Sequence, residues 1–361
     1  MNGRDADTKV LVALQRVEKL TPRKRDLLLG HTPLPSGLLT AEMKPKVAAA
    51  LGESAADFYR CLDESDAFMD GLADRNIGWV TYLDDEYSDL LRETEGRPQV
   101  LFTRGNTALL NTFAIAVVGT RRPTRYGAKL ADEFAREFAR AGITVVSGFA
   151  RGIDSCAHRA CVESGAPTVA VFGCGVDVCY PAENRELYAS VLSSGGLFVS
   201  EYAPGTHPMP YRFPERNRII SGLCRGVLLP EAAEKSGSLI TANTAVEQGR
   251  DLFVVPGNVY SPESRGTNAL LRTMPHALTL SPEDVLEHYR MRAPSESAEA
   301  ETVQLNMTET LILDSLHDGE KHFEELLADT GLTAAELSTA LVNLELAGAL
   351  VQTGGNHYAL C

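Results

Sequence analysis

The sequence predicts an α/β fold: a doubly wound, mostly parallel sheet with a small helical domain before it and a domain of three helices and a hairpin after it. Near-continuous apolar runs recur through the middle of the chain, at Ile115 to Val118, Ile143 to Val146, Val169 to Phe172, Leu197 to Val199, Val227 to Leu229 and Leu252 to Val255. Strands without polar alternation are buried on both faces, as in parallel sheets covered by helices. Amphipathic stretches lie between the runs; after the first, Leu130, Phe134, Phe138 and Ala141 fall three or four residues apart on one helical face. With 361 residues, 44% hydrophobic and 23% charged, the chain is long enough for a sizeable core and more than one domain. A disordered or low-complexity chain is excluded.

In chain order, residues 1–75 form the helical N-terminal domain, with apolar residues at helical spacing in Val10 to Leu20, Arg23 to Leu29, Pro45 to Leu51 and Ala55 to Leu62. From Trp79 to Asn106 the pattern is strand, short helix, strand, leading into the sheet domain of residues 76–282. The stretch 283–304 is poor in large apolar residues and rich in Ser, Ala and Glu around MRAPSESAEAE, and reads as a linker. In residues 305–361, Thr308 to Leu316, Phe323 to Ala328 and Ala334 to Ala347 are three helices, and Leu350 to Ala359 is a hairpin turning at Gly354-Gly355-Asn356. That is the pattern of a winged helix-turn-helix domain.

No apolar stretch approaches the roughly 20 residues of a membrane span. The first dozen residues carry Arg4, Asp5, Asp7 and Lys9 and lack the apolar core of a secretory signal, so a cytoplasmic protein is expected. Seven cysteines without tight spacing fit a reducing compartment. The local pairs Cys156/Cys161 and Cys174/Cys179 lack the spacing and histidines of a zinc site, so no metal is expected. Net charge is −14, yet residues 111–280 hold 17 Lys plus Arg against 15 Asp plus Glu, and 15 of those cations are Arg. Residues 301–361 hold one cation against 10 acids. An acidic chain thus keeps a locally cationic middle, rich in the residue that grips phosphate with a planar fork.

In a doubly wound sheet, ligands sit beyond the carboxyl ends of the strands. There the sequence places Gly119-Thr120-Arg121-Arg122, Ser147 to Asp154 with Arg151, Gly173-Cys174-Gly175, Ser200-Glu201, Glu231 to Ser238, and Pro256-Gly257-Asn258. In Lys235-Ser236-Gly237-Ser238 a cation precedes a serine-rich helix start, a combination suited to phosphate. Arg216, Asn217 and Arg218 follow Phe213 just before an apolar stretch, and Phe149, Tyr211 and Phe213 are candidates for stacking on bases, the usual partner of backbone cations in single-strand binding.

Enzyme signatures are missing. No Gly-Lys pair occurs, hence no P-loop; the GxG at Gly173 lacks its third glycine; no GxSxG elbow exists. His158 lies four residues after Asp154 but has no nucleophile or metal motif to serve, so a structural hydrogen bond is the expectation.

The segments VVGTRRPTRYG, VVSGFARGIDSCAHRA, YPAENRELY, SEYAPG, FPERNRIISGLCRGVLLPEAAEKSGSLITANTAVEQGRDLFVVPGN and SRGTNALL, collinear over about 79–280, closely resemble the DprA (Smf) family of DNA-processing proteins. The resemblance implies an extended Rossmann-like core, a SAM-like helical domain before it, a homodimer, and no cofactor or catalysis. It also implies binding of single-stranded DNA and its delivery to the recombinase RecA in natural transformation, with DNA repair as a further use. The implied DNA-binding positions are Arg121, Arg151, Arg216, Asn217, Arg218, Lys235, Ser236, Gly237 and Ser238; Phe149, one of the stacking candidates read from the residues above, is added to the expected site. Two features depart from the family. Residues 1–70 lack a helix-hairpin-helix-like glycine motif, and the third C-terminal helix carries Glu336 and Glu345 but no Lys or Arg. A helix that docks in a DNA groove neutralises phosphates, so this winged helix reads as a protein-binding or regulatory module. The alternative is a nucleotide-processing hydrolase with a PGGxGTxxE motif. Pro256-Gly257-Asn258 and Gly266-Thr267-Asn268 are apart in sequence, and leucines, Leu270 and Leu271, stand where its catalytic Glu belongs.

Overall fold

A computed structural model describes residues 3–17, 20–291, 307–316, 319–346 and 349–360 of the protein. The chain divides into two compact units, residues 1–293 and 294–361. The first opens with helices α1 (Gly3–Arg16), α2 (Pro22–Leu29), α3 (Lys44–Leu51), α4 (Ala55–Asp63) and α5 (Ser65–Ala73). Strand β1 (Gly78–Thr81), α6 (Asp89–Arg92) and β2 (Val100–Gly105) lead into the alternating region. There the order is β3 (Ala114–Val117), α7 (Arg125–Arg140), β4 (Thr144–Ser147), α8 (Ile153–Glu163), β5 (Thr168–Phe172), α9 (Arg185–Ser193), β6 (Leu197–Ser200), α10 (Arg212–Gly222), β7 (Gly226–Leu229), α11 (Ser238–Glu247), β8 (Asp251–Val254), α12 (Arg265–Thr273) and α13 (Pro282–His288). The second unit holds α14 (Met307–Leu316), β9 (Lys321–His322), α15 (Phe323–Thr330), α16 (Ala334–Leu346), β10 (Leu350–Gly354) and β11 (His357–Leu360).

Each apolar run of the sequence is a strand. The eight strands lie in the order β1-β2-β6-β5-β4-β3-β7-β8. From β6 to β8 every pair is parallel, whereas β1 and β2 extend the sheet antiparallel on β6. The central strands are buried along their whole length because helices cover both faces. On one face Leu130, Phe134 and Phe138 of α7 pack with Ile153 of α8 and Val285 of α13; on the other, Ile219 of α10 and Ala242 of α11 pack over Val227 and Val199. The chain leaves β3 toward β4 on one side and β7 toward β8 on the other. The switch point therefore lies between β3 and β7, where a doubly wound sheet opens a crevice at its carboxyl edge.

The N-terminal helices belong to the same unit as the sheet, because α1 buries residues in two directions. Val10, Ala13 and Leu14 join the helical core, whereas Leu11 and Val12 pack toward Phe102 and Leu72 beside the sheet. The first part of the expected linker, from 283, is helix α13, started by a capping box between Ser281 and Asp284 with Pro282 in the first turn, and it buries Val285 and Leu286. The stretch 292–306 lies outside the described residues, as does Ala347 at the end of the expected third C-terminal helix. In the second unit three helices enclose Ile312, Leu326, Leu337 and Leu341, and the hairpin β10–β11 gains β9 as a third strand. Among the described residues no helix is long and apolar enough to cross a membrane.

His158 of α8 is fully buried against Phe149. The Thr168 hydroxyl donates to Val145 O (2.7 Å), so His158 Nδ1, 2.9 Å from it, is the donor and carries the proton, leaving Nε2 bare. Burial, with a smaller contribution from Arg216, lowers the His158 pKa from 6.5 to about 3. Because the folded value is depressed, its contribution to stability is present above pH 6.5 and is lost as pH falls toward 3. Between pH 6.5 and 5 this group alone removes up to about 2 kcal/mol. Urea unfolding across that window should show the loss in the wild type and a flatter profile in His158→Gln.

Candidate nucleic-acid interface

A cavity of about 590 Å³ opens at the switch point. The β3–α7 turn supplies Gly119, Thr120, Arg121 and Arg122; α10 supplies Phe213, Arg216, Asn217 and Ile220; the β7–α11 turn supplies Lys235, Ser236, Gly237 and Ser238. Tyr180 from the β5–α9 connection and Glu263 from the β8–α12 connection complete its walls.

Its floor holds two buried charged side chains, Arg216 and Asp154. Arg216 is 3% exposed and donates through Nη1 to Gly148 O (2.6 Å) and to Val171 O. Gly148 leaves room for the guanidinium, since a Cβ there would stand 2.5 Å from Nη1. Asp154, at the start of α8, accepts from the backbone N–H groups of Gly148 and Ala150 (3.1 and 3.3 Å) and is electrostatically coupled to Arg216. Burial lowers the Arg216 pKa to about 10, opposed by Asp154; burial also raises the Asp154 pKa, opposed by Arg216 and by the two N–H bonds. Arg216 stays cationic at neutral pH and sets a positive charge under the cavity.

The walls are cationic and aromatic. The Arg121 guanidinium lies 5.5 Å from the centre of the Phe213 ring, and that ring faces Tyr180 at 5.4 Å and 30°. Asn217 Nδ2 reaches Gly237 O at 3.4 Å, and the hydroxyls of Ser236 and Ser238 are 2.7 Å apart, which shapes the turn before α11. Lys235 and Gly237 are exposed. Glu263 accepts from the Thr120 hydroxyl at 2.9 Å. Both carboxylates of the cavity are thus engaged, and the site presents planar cations, hydroxyls and ring faces: groups that bind a polyanion and its bases.

The structure brings together Arg121, Arg216, Asn217, Lys235, Ser236, Gly237 and Ser238. Three expected residues stand elsewhere. Phe149, with φ +58°, is fully buried between Phe172 and Phe198 and lies outside the cavity lining. Arg218 points away from the cavity, because α10 begins already at Arg212 and residues two apart on a helix lie on nearly opposite sides. Arg218 instead donates to the buried Glu201 carboxylate at 2.6 Å, with Arg25 of α2 at 4.0 Å on the same oxygen. Arg151 lies outside the cavity lining and forms a two-pronged, exposed pair with Glu183 (2.6 Å for Nη2). Of the other two aromatic candidates, Phe213 lines the cavity, while Tyr211 lines a separate one beside Arg16 and Arg25. Tyr180 and Glu263 were missed by the sequence reading. Following β5 and β8 through their long connections, rather than only to the first residues after each strand, finds them. Gly257 and Asn268, distant in sequence, exchange two bonds of 3.0 Å, so the segments compared with a hydrolase motif are adjacent, without a carboxylate at Leu270 or Leu271. Among the described residues no group of three His, Cys, Asp or Glu side chains is placed to hold a metal.

Comparison with known proteins gives this arrangement a family. The sequence pattern of the DNA recombination-mediator protein A family matches residues 78–290, and that of the DprA winged helix domain matches residues 296–356. The chain belongs to the DprA family. Its relatives include Protein Smf of Escherichia coli, 37% identical over 283 residues that cover 76% of this chain and 75% of that protein. The X-ray structure of DNA processing protein A from Streptococcus pneumoniae superposes with a TM-score of 0.62 at 33% identity, covering 78% of this chain and 95% of that one. DNA processing protein A from Helicobacter pylori, whose structure is described for its single-stranded DNA binding mode, superposes with a TM-score of 0.52 at 31% identity, covering 59% and 95%. The DprA-family match spans the sheet and both walls of the cavity.

Removing the buried guanidinium in Arg216→Met takes the donor away from Gly148 O and Val171 O and should cost about 1–3 kcal/mol. Arg121→Ala, at the exposed rim, should shift stability by less than about 0.5 kcal/mol. Urea midpoints of the two variants check this contrast.

Proposed function

We propose that this DprA-family chain binds single-stranded DNA in the switch-point cavity, without chemistry, and delivers it to the RecA recombinase in natural transformation and DNA repair, acting as a cytoplasmic homodimer. The observation that carries the DNA reading is the Phe213–Tyr180 pair beneath Arg121, set beside Lys235 and the turn before α11. The exposed Tyr180 ring, backed by Phe213, suits stacking on any base, and neighbouring cations hold the backbone, which together favour an accessible single strand over a duplex. The binding mode described for the Helicobacter pylori relative supports the same ligand. Delivery to RecA and dimerisation rest on the family resemblance.

In this reading Arg121, Lys235, Ser236, Gly237 and Ser238 hold phosphates, Asn217 fixes the turn that presents the last four of them, and Arg216 supplies charge from below. Arg151 acts at the rim, exchanging Glu183 for phosphate. No catalytic residue and no cofactor is invoked, since Asp154 and Glu263 are already bonded to their own neighbours. The helical segment 1–75 supports the sheet domain, and the winged-helix domain beyond the 283–304 stretch meets protein partners: exposed positions of α16 include Glu336, Val342 and Glu345, and the helix has no cation.

Fluorescence anisotropy with labelled oligo-dT and a matching duplex at two salt concentrations tests the site. The wild type should prefer the single strand and weaken with salt. Arg121→Ala and Lys235→Ala should each lower affinity about 10-fold and flatten the log–log salt slope by about 0.7 for each phosphate that is no longer neutralised. Undiminished binding by both variants would move the site elsewhere.

A further inference from the structure

The connection after β8 is anchored to the cavity yet displays apolar side chains that nothing covers. Tyr126 of α7 donates to Pro256 O at 2.8 Å, Thr120 donates to Glu263 at 2.9 Å, and Gly257 is held on both backbone atoms by Asn268. Between those anchors Val259 is 72% and Tyr260 87% exposed, the two most exposed large apolar side chains among the described residues. Two exposed arginines flank the loop: Arg125, which starts α7 next to Tyr126, and Arg265, which starts α12. Among the described residues neither has a carboxylate partner.

We propose that residues 256–264 form a second stacking station on the path of the DNA strand, with Tyr260 as the base platform and Arg125 and Arg265 gripping the backbone. The proposal rests on the reading of the cavity as the single-strand site, and adds the direction in which the strand leaves it. Along the carboxyl edge the Tyr180 connection follows β5 and the Tyr260 loop follows β8, four strand spacings away, about 19 Å. Arg121, Arg122 and Lys235 lie between, so the edge offers ring faces at both ends and cations along the span. An extended strand that stacks at the Phe213–Tyr180 pair is led by charge toward Tyr260. A protein partner would need a larger continuous apolar surface than one loop tip, and the uncompensated arginines point to a polyanion.

The test is anisotropy on the full chain with oligo-dT of about 5 and about 15 nucleotides, lengths within the range that single-strand sites span. Tyr260→Ala should weaken the longer oligomer about 10-fold and leave the shorter one unchanged, and Tyr260→Phe should retain wild-type affinity for both. Iodo-deoxyuridine in the longer oligomer should crosslink to Tyr260. Equal effects of Tyr260→Ala on both lengths, or none, would overturn the proposal. So would a fall in sedimentation mass with unchanged affinity, which would assign the loop to contacts between copies. Failure of the wild type to bind the short oligomer would overturn the cavity reading itself, and this inference with it.

Discussion

The buried Arg216 guanidinium ties the cavity together. It reaches from α10 to the carbonyls of Gly148, after β4, and Val171, within β5, and is electrostatically coupled to Asp154 at the start of α8. Helices α10 and α8 thus meet the edges of β4 and β5 at one charged hub on the sheet's carboxyl edge. Desolvating a guanidinium is expensive, and the Coulombic return from one carboxylate seldom exceeds that cost. What Arg216 secures is placement: its two carbonyl bonds tie the floor of the cavity to the sheet before any ligand arrives.

Helix α10 serves two surfaces at once. Phe213, Arg216, Asn217 and Ile220, spaced three and four apart, face the cavity, while Glu215 and Arg218 face a second hollow beside α2. On that side Glu201 receives Arg218 on its carboxylate and Gln15 on its backbone oxygen at 2.6 Å, with Arg25 close by. The N-terminal helices therefore reach, through one buried carboxylate, the helix that carries the floor and one aromatic wall of the cavity. This explains why they form one unit with the sheet.

The strands and the crevice that makes the candidate site were legible because parallel strands buried on both faces leave unbroken apolar runs, and because a doubly wound sheet opens a crevice at its carboxyl edge. Less legible was which way each side chain faces. The sequence places the Arg-Asn-Arg segment just before an apolar stretch, but α10 already starts at Arg212, and within a helix the two arginines diverge. Phe149 looked like a stacking ring because its neighbours are turn residues; the left-handed backbone that buries it leaves no mark in the sequence. Helix α13 did leave one, a Ser-Pro-Glu-Asp start, outweighed by the polar composition that follows it. Tyr180 and Glu263 sit deep in connections, where only the fold shows which residue returns to the edge.

The account turns on where a single strand touches the molecule. Amide hydrogen exchange of the full chain with and without oligo-dT reads this directly. Occupied as argued, the cavity should show slowed exchange in the β3–α7 turn at residues 118–122 and in the β7–α11 turn at residues 235–238, with residues 307–360 unchanged. Protection confined to the winged-helix residues, with both turns unaffected, would contradict it.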